Sequence, residues 1–156
     1  MRTEEECILR IQTQSFGEVQ VEPEGVLHLH DGLPGLPRTR HCYILDRDEE
    51  YPVRWLLDAR DPSVAMPIVE ASFVCPGYDP PLPRSEERSL LLGPEDARRF
   101  FLVLVIPADP RGITANLRAP IVVNERDRTG KQVLLASEEY PIRYRLFPGG
   151  ESGCGG

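Results

Sequence analysis

The three histidines and four cysteines are the residues of this chain whose chemistry is most versatile. His28 and His30 stand two apart, a spacing that puts both on one face of a strand, where they could share a metal with His41 or Cys42. No neighbouring carboxylate completes a ligand set, so alternating polar residues on a solvent-facing strand is the simpler reading. Asp46, Asp48 and Glu50 alternate like the opening of a calcium loop. However, Tyr51 stands where the sharp turn needs Gly, and Leu57 where the closing Glu belongs. Gly130-Lys131 makes no phosphate cradle, since Glu125 replaces the first Gly of that motif and Gln132 the Ser or Thr. The nucleophile elbow, the two-histidine zinc helix and the double-glycine dinucleotide turn are all missing. The residues therefore predict no catalytic group, no metal and no cofactor. The alternative is a small-ligand- or metal-binding β-barrel with minor enzymatic activity built on His28, His30 and His41.

Cys7, Cys42 and Cys75 lie among apolar neighbours and read as small buried hydrophobes, while Cys154 falls in a Gly-rich tail whose thiol is predicted to be exposed.

Features suited to protein binding are clearer. Tyr78 follows Cys75-Pro76-Gly77 and precedes Asp79-Pro80-Pro81, so a stiffened loop presents an aromatic ring at low entropic cost. Asp58, Asp61, Glu70 and Asp79, joined by Glu86 and Glu87, make this middle region acidic, and Phe73 adds an apolar side chain to it. We expect Asp58, Asp61, Glu70, Phe73, Tyr78 and Asp79 to contribute to a partner surface. With a net charge of -7, the chain lacks the clustered positive surface that duplex binding needs, and a basic protein partner suits it better.

The elements that must position these residues are short strands. At 156 residues, 40% hydrophobic and 28% charged, the chain has the size and composition of one folded domain. Sixteen Pro and thirteen Gly demand many turns. Alternating or apolar segments at residues 7–13, 16–21, 25–30, 41–45, 51–58, 65–74, 101–106, 113–117, 120–124, 131–137 and 142–147 predict about ten short strands. Residues 101–106 form a continuous apolar run, expected to be the most buried and most central strand. Residues 93–100 carry Pro and two acids at the positions that open a helix, and predict a short one. The expected fold is an all-β, antiparallel, barrel-like domain over residues 1–148 with one short helix, followed by a flexible tail over 149–156. The longest apolar run, residues 100–108, is less than half of the roughly 20 residues a spanning helix needs. The first residues lack a signal-peptide layout, so a cytoplasmic protein is expected.

The stretch Thr114-Ala115-Asn116-Leu117-Arg118-Ala119-Pro120-Ile121-Val122-Val123-Asn124, followed by Gly130-Lys131-Gln132-Val133, closely resembles the flagellar assembly factor FliW family. Phe16-Gly17-Glu18-Val19, Gly32-Leu33-Pro34-Gly35-Leu36, Asp61-Pro62 and Pro76-Gly77-Tyr78 fit the same pattern. The resemblance runs over residues 7–147. It implies a small cytoplasmic β protein that binds flagellin and also binds the RNA-binding regulator CsrA, relieving repression of flagellin translation. The acidic charge balance and the short apolar runs lead us to expect no direct contact with nucleic acid or membrane. Within the motif, Gly17, Gly32, Pro34, Gly35, Asn116, Pro120, Asn124, Gly130 and Gln132 read as structural: Asn116 and Asn124 can bond turn backbone, and Pro120 can open a strand.

Overall fold

The computed structural model describes residues 9–93 and 96–146. Among these, β-branched and aromatic segments punctuated by Pro and Gly form eleven strands. They are β1 (Leu9–Thr13), β2 (Gly17–Val21), β3 (Leu27–Leu29), β4 (His41–Asp46), β5 (Val53–Asp58) and β6 (Ala65–Glu70). After two short helices, α1 (Ala71–Val74) and α2 (Arg84–Ser89), come β7 (Arg98–Val105), β8 (Thr114–Ala115), β9 (Ile121–Asn124), β10 (Thr129–Gln132) and β11 (Tyr144–Arg145). β1 and β2 pair as a separate hairpin. The other nine lie in the order β11-β8-β7-β6-β5-β4-β3-β10-β9, and β9 pairs back onto β7. Seven strands thus close into a barrel, which leaves them no open edge, and β8 and β11 extend from the end of β7.

Alternation along the strands supplies two cores. Leu27, Leu29, Cys42, Leu56, Ile68, Phe101, Ile121 and Val123 come from six barrel strands and fill the barrel. Val69, Phe100, Leu102, Leu104 and Val122 point the other way and are covered by Leu90, Leu92, Leu117, Val133 and Leu135 from the connecting segments. With both faces of β7 buried, its sequence is a continuous apolar run rather than an alternating one. β7 is also the strand with three partners, β6, β8 and β9. The most completely buried strand is nevertheless β9, all four of whose residues are inaccessible.

Several expectations need correction. Among the described residues of 93–100 there is no helix: β7 has already started at Arg98, in register with Asn124. Asp96 instead closes a turn by accepting the Gly93 N–H at 2.7 Å; Pro94 and Glu95 lie outside the described residues. Pairing with β6 and β9 overrode the local helix signals, and the helices stand upstream. Residues 65–74 are not one strand, because β6 stops at Glu70 and α1 takes over. The barrel is not wholly antiparallel, since β10 runs parallel to β3, with Gly130 opposite Leu29. In the last third, β10 covers Thr129–Gln132 rather than residues 131–137. Beyond it, Val133 and Leu135 still donate to the Pro120 and Arg118 carbonyls. Cys42 and Cys75 are buried thiols, as read; Cys7, Cys154 and the tail fall outside the described residues.

The motif residues build turns and close contacts. Leu33-Pro34-Gly35-Leu36 is a tight turn in which Leu36 and Leu33 exchange backbone hydrogen bonds, Pro34 setting the first corner and Gly35 the second at φ +80°. Gly32, at φ +66°, has no room for a side chain, since a Cβ would lie 2.5 Å from the Pro37 carbonyl oxygen. Asn116 Oδ1 accepts the N–H groups of Arg118 and Ala119, which leads the chain to Pro120 and into β9. Gln132 Nε2 donates to the Ala119 carbonyl. Gly17, at φ +67°, opens β2.

Candidate functional site

The structure divides the six acidic and aromatic candidates among three places. Asp58 and Asp61 line a cleft of about 750 Å³ beside the Gly35–Arg40 loop. Glu70, Tyr78 and Asp79 line a second cleft of about 830 Å³ between α1, the Pro-rich loop and the start of β7. Phe73 lies on the exposed side of α1.

Asp58 is buried, at 5% exposure. Its carboxylate accepts the Thr39 hydroxyl at 2.9 Å and the Arg60 N–H at 2.8 Å. The carboxylate expected on a partner surface is therefore engaged inside the fold, bracing the turn after β5. Asp61 is exposed and accepts both the N–H and the hydroxyl of Ser63, and those two hydrogen bonds lower its pKa. Tyr78 is half-buried rather than projecting. Its hydroxyl donates to the Leu117 carbonyl at 2.7 Å, and its ring packs edge-on against Phe100 and Tyr140. Burial, with smaller contributions from Tyr140 and Cys75, raises the phenol pKa.

The second cleft is a charged trough. Arg99 bonds Glu70 at 2.9 Å and Glu125 at 3.0 Å, and its guanidinium lies 4.9 Å from the centre of the Phe101 ring. Burial works against its charge, but the two carboxylates more than offset this, so its pKa is raised. Arg98 pairs with Glu87 at 2.9 Å, and Asp96 with Arg126 at 3.0 Å. Among the described residues the exposed Asp79 pairs with no cation, which leaves one uncompensated carboxylate at the rim. Cross-linked carboxylates and guanidiniums of this kind can recognise charge on a partner.

Beside the trough stands an aromatic pair that the sequence reading caught only in part. The Phe73 ring meets Tyr51 edge-on with centroids 5.3 Å apart, and the two are 48% and 58% exposed. Rigid, exposed aromatics next to charge are the residue type that anchors protein interfaces. Tyr51 precedes β5 rather than opening it, and its partnership with Phe73 depends on α1 turning the chain after β6.

The histidines are only partly brought together. His28 and His41 are cross-strand partners whose rings meet edge-on at 5.5 Å, while His30 is exposed in the turn after β3. Among the described residues no three His, Cys, Asp or Glu side chains are grouped to share a metal ion. No helix among them is long and apolar enough to cross a membrane.

Comparison with known proteins agrees on one family. A family model described as FliW protein matches residues 10–146. The flagellar assembly factor FliW of Thermotoga maritima is 34% identical over 132 residues, covering 84% of this chain and 89% of the relative. That of Bdellovibrio bacteriovorus is 35% identical over 137 residues, covering 88% and 78%. A crystal structure of the flagellar assembly factor FliW matches the fold with a TM-score of 0.81 at 26% identity, over 92% of this chain and 100% of that one. With the closed barrel, the motif turns and the family model all coinciding over nearly the whole described chain, this protein belongs to the FliW family.

Proposed function

We propose that this protein is a flagellar assembly factor that works by exchanging protein partners. It holds flagellin, and once flagellin is exported it binds a CsrA-type RNA-binding regulator and relieves repression of flagellin translation. Family membership over residues 10–146 is the observation that carries this reading. The chemistry of the chain supports it, because a partner switch needs surfaces rather than a catalytic group. A chain of net charge -7 is drawn toward a basic RNA-binding protein and opposes phosphates on the same surface.

Within this reading, the face that meets the regulator is the Tyr51–Phe73 pair with the Glu70 and Asp79 rim of the trough, Asp58 and Tyr78 acting from within the fold. The test is co-elution and calorimetry of the purified protein with the regulator and, separately, with flagellin. The unmodified protein forms a complex with each. Phe73→Ala combined with Asp79→Arg weakens the regulator complex by roughly tenfold or more, while thermal unfolding shifts only by the loss of the Phe73–Tyr51 ring contact, about 0.5–1.5 kcal/mol. Undiminished binding by that variant would displace the interface from this face, and binding of neither partner by the unmodified protein would overturn the reading.

A further inference from the structure

The cleft beside the Gly35–Arg40 loop has an unusual charge for this protein. Arg38, Arg40 and Arg60 all line it, on a chain whose net charge is -7. Among the described residues, Arg47, Arg54, Arg98, Arg99, Arg111, Arg126 and Lys131 each pair with a carboxylate, Arg118 and Arg128 bond backbone carbonyls, and Arg10, Arg84, Arg88, Arg143 and Arg145 stand singly at exposed positions. What sets Arg38, Arg40 and Arg60 apart is that the three line one cleft: among the described residues they pair with no carboxylate, and their single side-chain hydrogen bond is from Arg40 Nε to the Pro37 carbonyl at 3.4 Å.

Carboxylates are nonetheless present in the same cleft. Asp58 is taken up by the Thr39 hydroxyl and the Arg60 N–H, and Asp61 by Ser63. Both acids are turned toward their own backbone, where they shape the turn that presents Arg60. The floor is built rather than incidental, since Thr39 and Asp58 are 3% and 5% exposed and bonded to each other. The opposite wall is fixed by the tight Leu33–Leu36 turn and by Gly32, whose position admits no side chain.

We propose that this cleft is a binding site for a small, multiply charged oxyanion, a phosphorylated or polycarboxylate metabolite, held by the guanidinium groups of Arg38, Arg40 and Arg60. Guanidinium forks match the oxygen pairs of phosphate and carboxylate. The volume of about 750 Å³ lies in the range of small-molecule sites. A macromolecular partner is disfavoured here because none of the large exposed apolar side chains, Tyr51, Phe73, Leu91 and Leu134 among them, lines this cleft to anchor one. Asp58 is a positioning residue, acting through the backbone of Arg60. The site goes beyond the partner-switch reading and stands or falls without it.

The test is isothermal titration of the full chain with pyrophosphate and with citrate, in separate arms, at constant ionic strength with sodium chloride as the control. The expected result is saturable one-to-one binding of at least one of them. Arg38→Gln with Arg60→Gln weakens it by roughly tenfold or more. Arg84→Gln with Arg143→Gln makes the same charge change at exposed positions elsewhere and leaves it unchanged. Preference for one arm assigns the site to phosphate or to carboxylate. The proposal is overturned by heats no larger than those of sodium chloride, or by equal losses in both double variants. It is also overturned if only a poly-glutamate peptide binds, which would make the cleft a protein-binding surface.

Discussion

Replacing Asn124 with alanine should be among the most damaging single changes to this fold, although the residue is polar. Asn124 is fully buried at the end of β9. Its Nδ2 donates to the Leu90 carbonyl at 2.8 Å, and its Oδ1 accepts the Arg126 N–H at 3.1 Å. One side chain thus ties the exit of α2 to the β9–β10 turn, two segments that share no backbone ladder. Alanine would leave the buried Leu90 carbonyl without this partner, at about 1–3 kcal/mol, and would lose the part-buried bond from the Arg126 N–H, worth about 1 kcal/mol, so the expected loss is about 3 kcal/mol. For a domain of this size that corresponds to about 6–12 °C in Tm. Leu91 is less affected, because Arg126 Nη2 also donates to its carbonyl. Asn124→Asp keeps the acceptor, loses the donor and puts a carboxylate against the Leu90 carbonyl and Asp127, so it should cost at least as much. Urea unfolding followed by circular dichroism measures both. A loss below about 1 kcal/mol for the alanine variant would refute the reasoning that this amide is the bracket between the two segments.

Further predictions concern the turns, the half-buried tyrosine and the buried thiol. Gly35→Ala meets open space and carries only the backbone penalty of positive φ, about 1–2 kcal/mol, whereas Gly32→Ala adds a clash with the Pro37 carbonyl and should cost clearly more in the same unfolding assay. Tyr78→Phe removes one hydrogen bond to Leu117 and should lower stability by about 1 kcal/mol while leaving the native circular dichroism unchanged. Cys42 is pushed up from 9.0 to about 12, by burial first and then by the charge of Asp58. A raised thiol pKa means the native state holds the proton more tightly, so this contribution is intact below about pH 9 and is lost as the pH climbs toward 12. Unfolding free energy should therefore fall across pH 9–11, and less steeply in Cys42→Ala.

Much of the barrel was legible because its signal is local. Alternation in β1 and β2 of the hairpin, and the apolar run of β7 in the barrel, follow from which faces are buried, and the Asn and Gly turn residues announce their own geometry. What escaped depended on partners far along the chain. The parallel pairing of β3 with β10 joins residues about a hundred positions apart, and nothing in either segment marks it. Residues 93–100 carry helix-opening residue types yet lead into a strand, because Arg98 and Phe100 find Asn124 and Val122 beside them. The candidate surface suffered in the same way. Asp58 looks like any other acid in a charged stretch until Thr39 is seen to cover it, and Tyr51 gains meaning only when α1 brings Phe73 to it. The arginine-lined cleft was hidden because Arg38 and Arg60 belong to separate loops, twenty-two residues apart in the chain.

The partner switch itself is most directly tested by an RNA-release titration. The protein is added to a complex of the CsrA-type regulator with a flagellin leader RNA, and flagellin is then added to the mixture. The account predicts that RNA is released at the first step and bound again at the second, as flagellin draws the protein away from the regulator. RNA that stays bound at the first step, or stays free at the second, would contradict it.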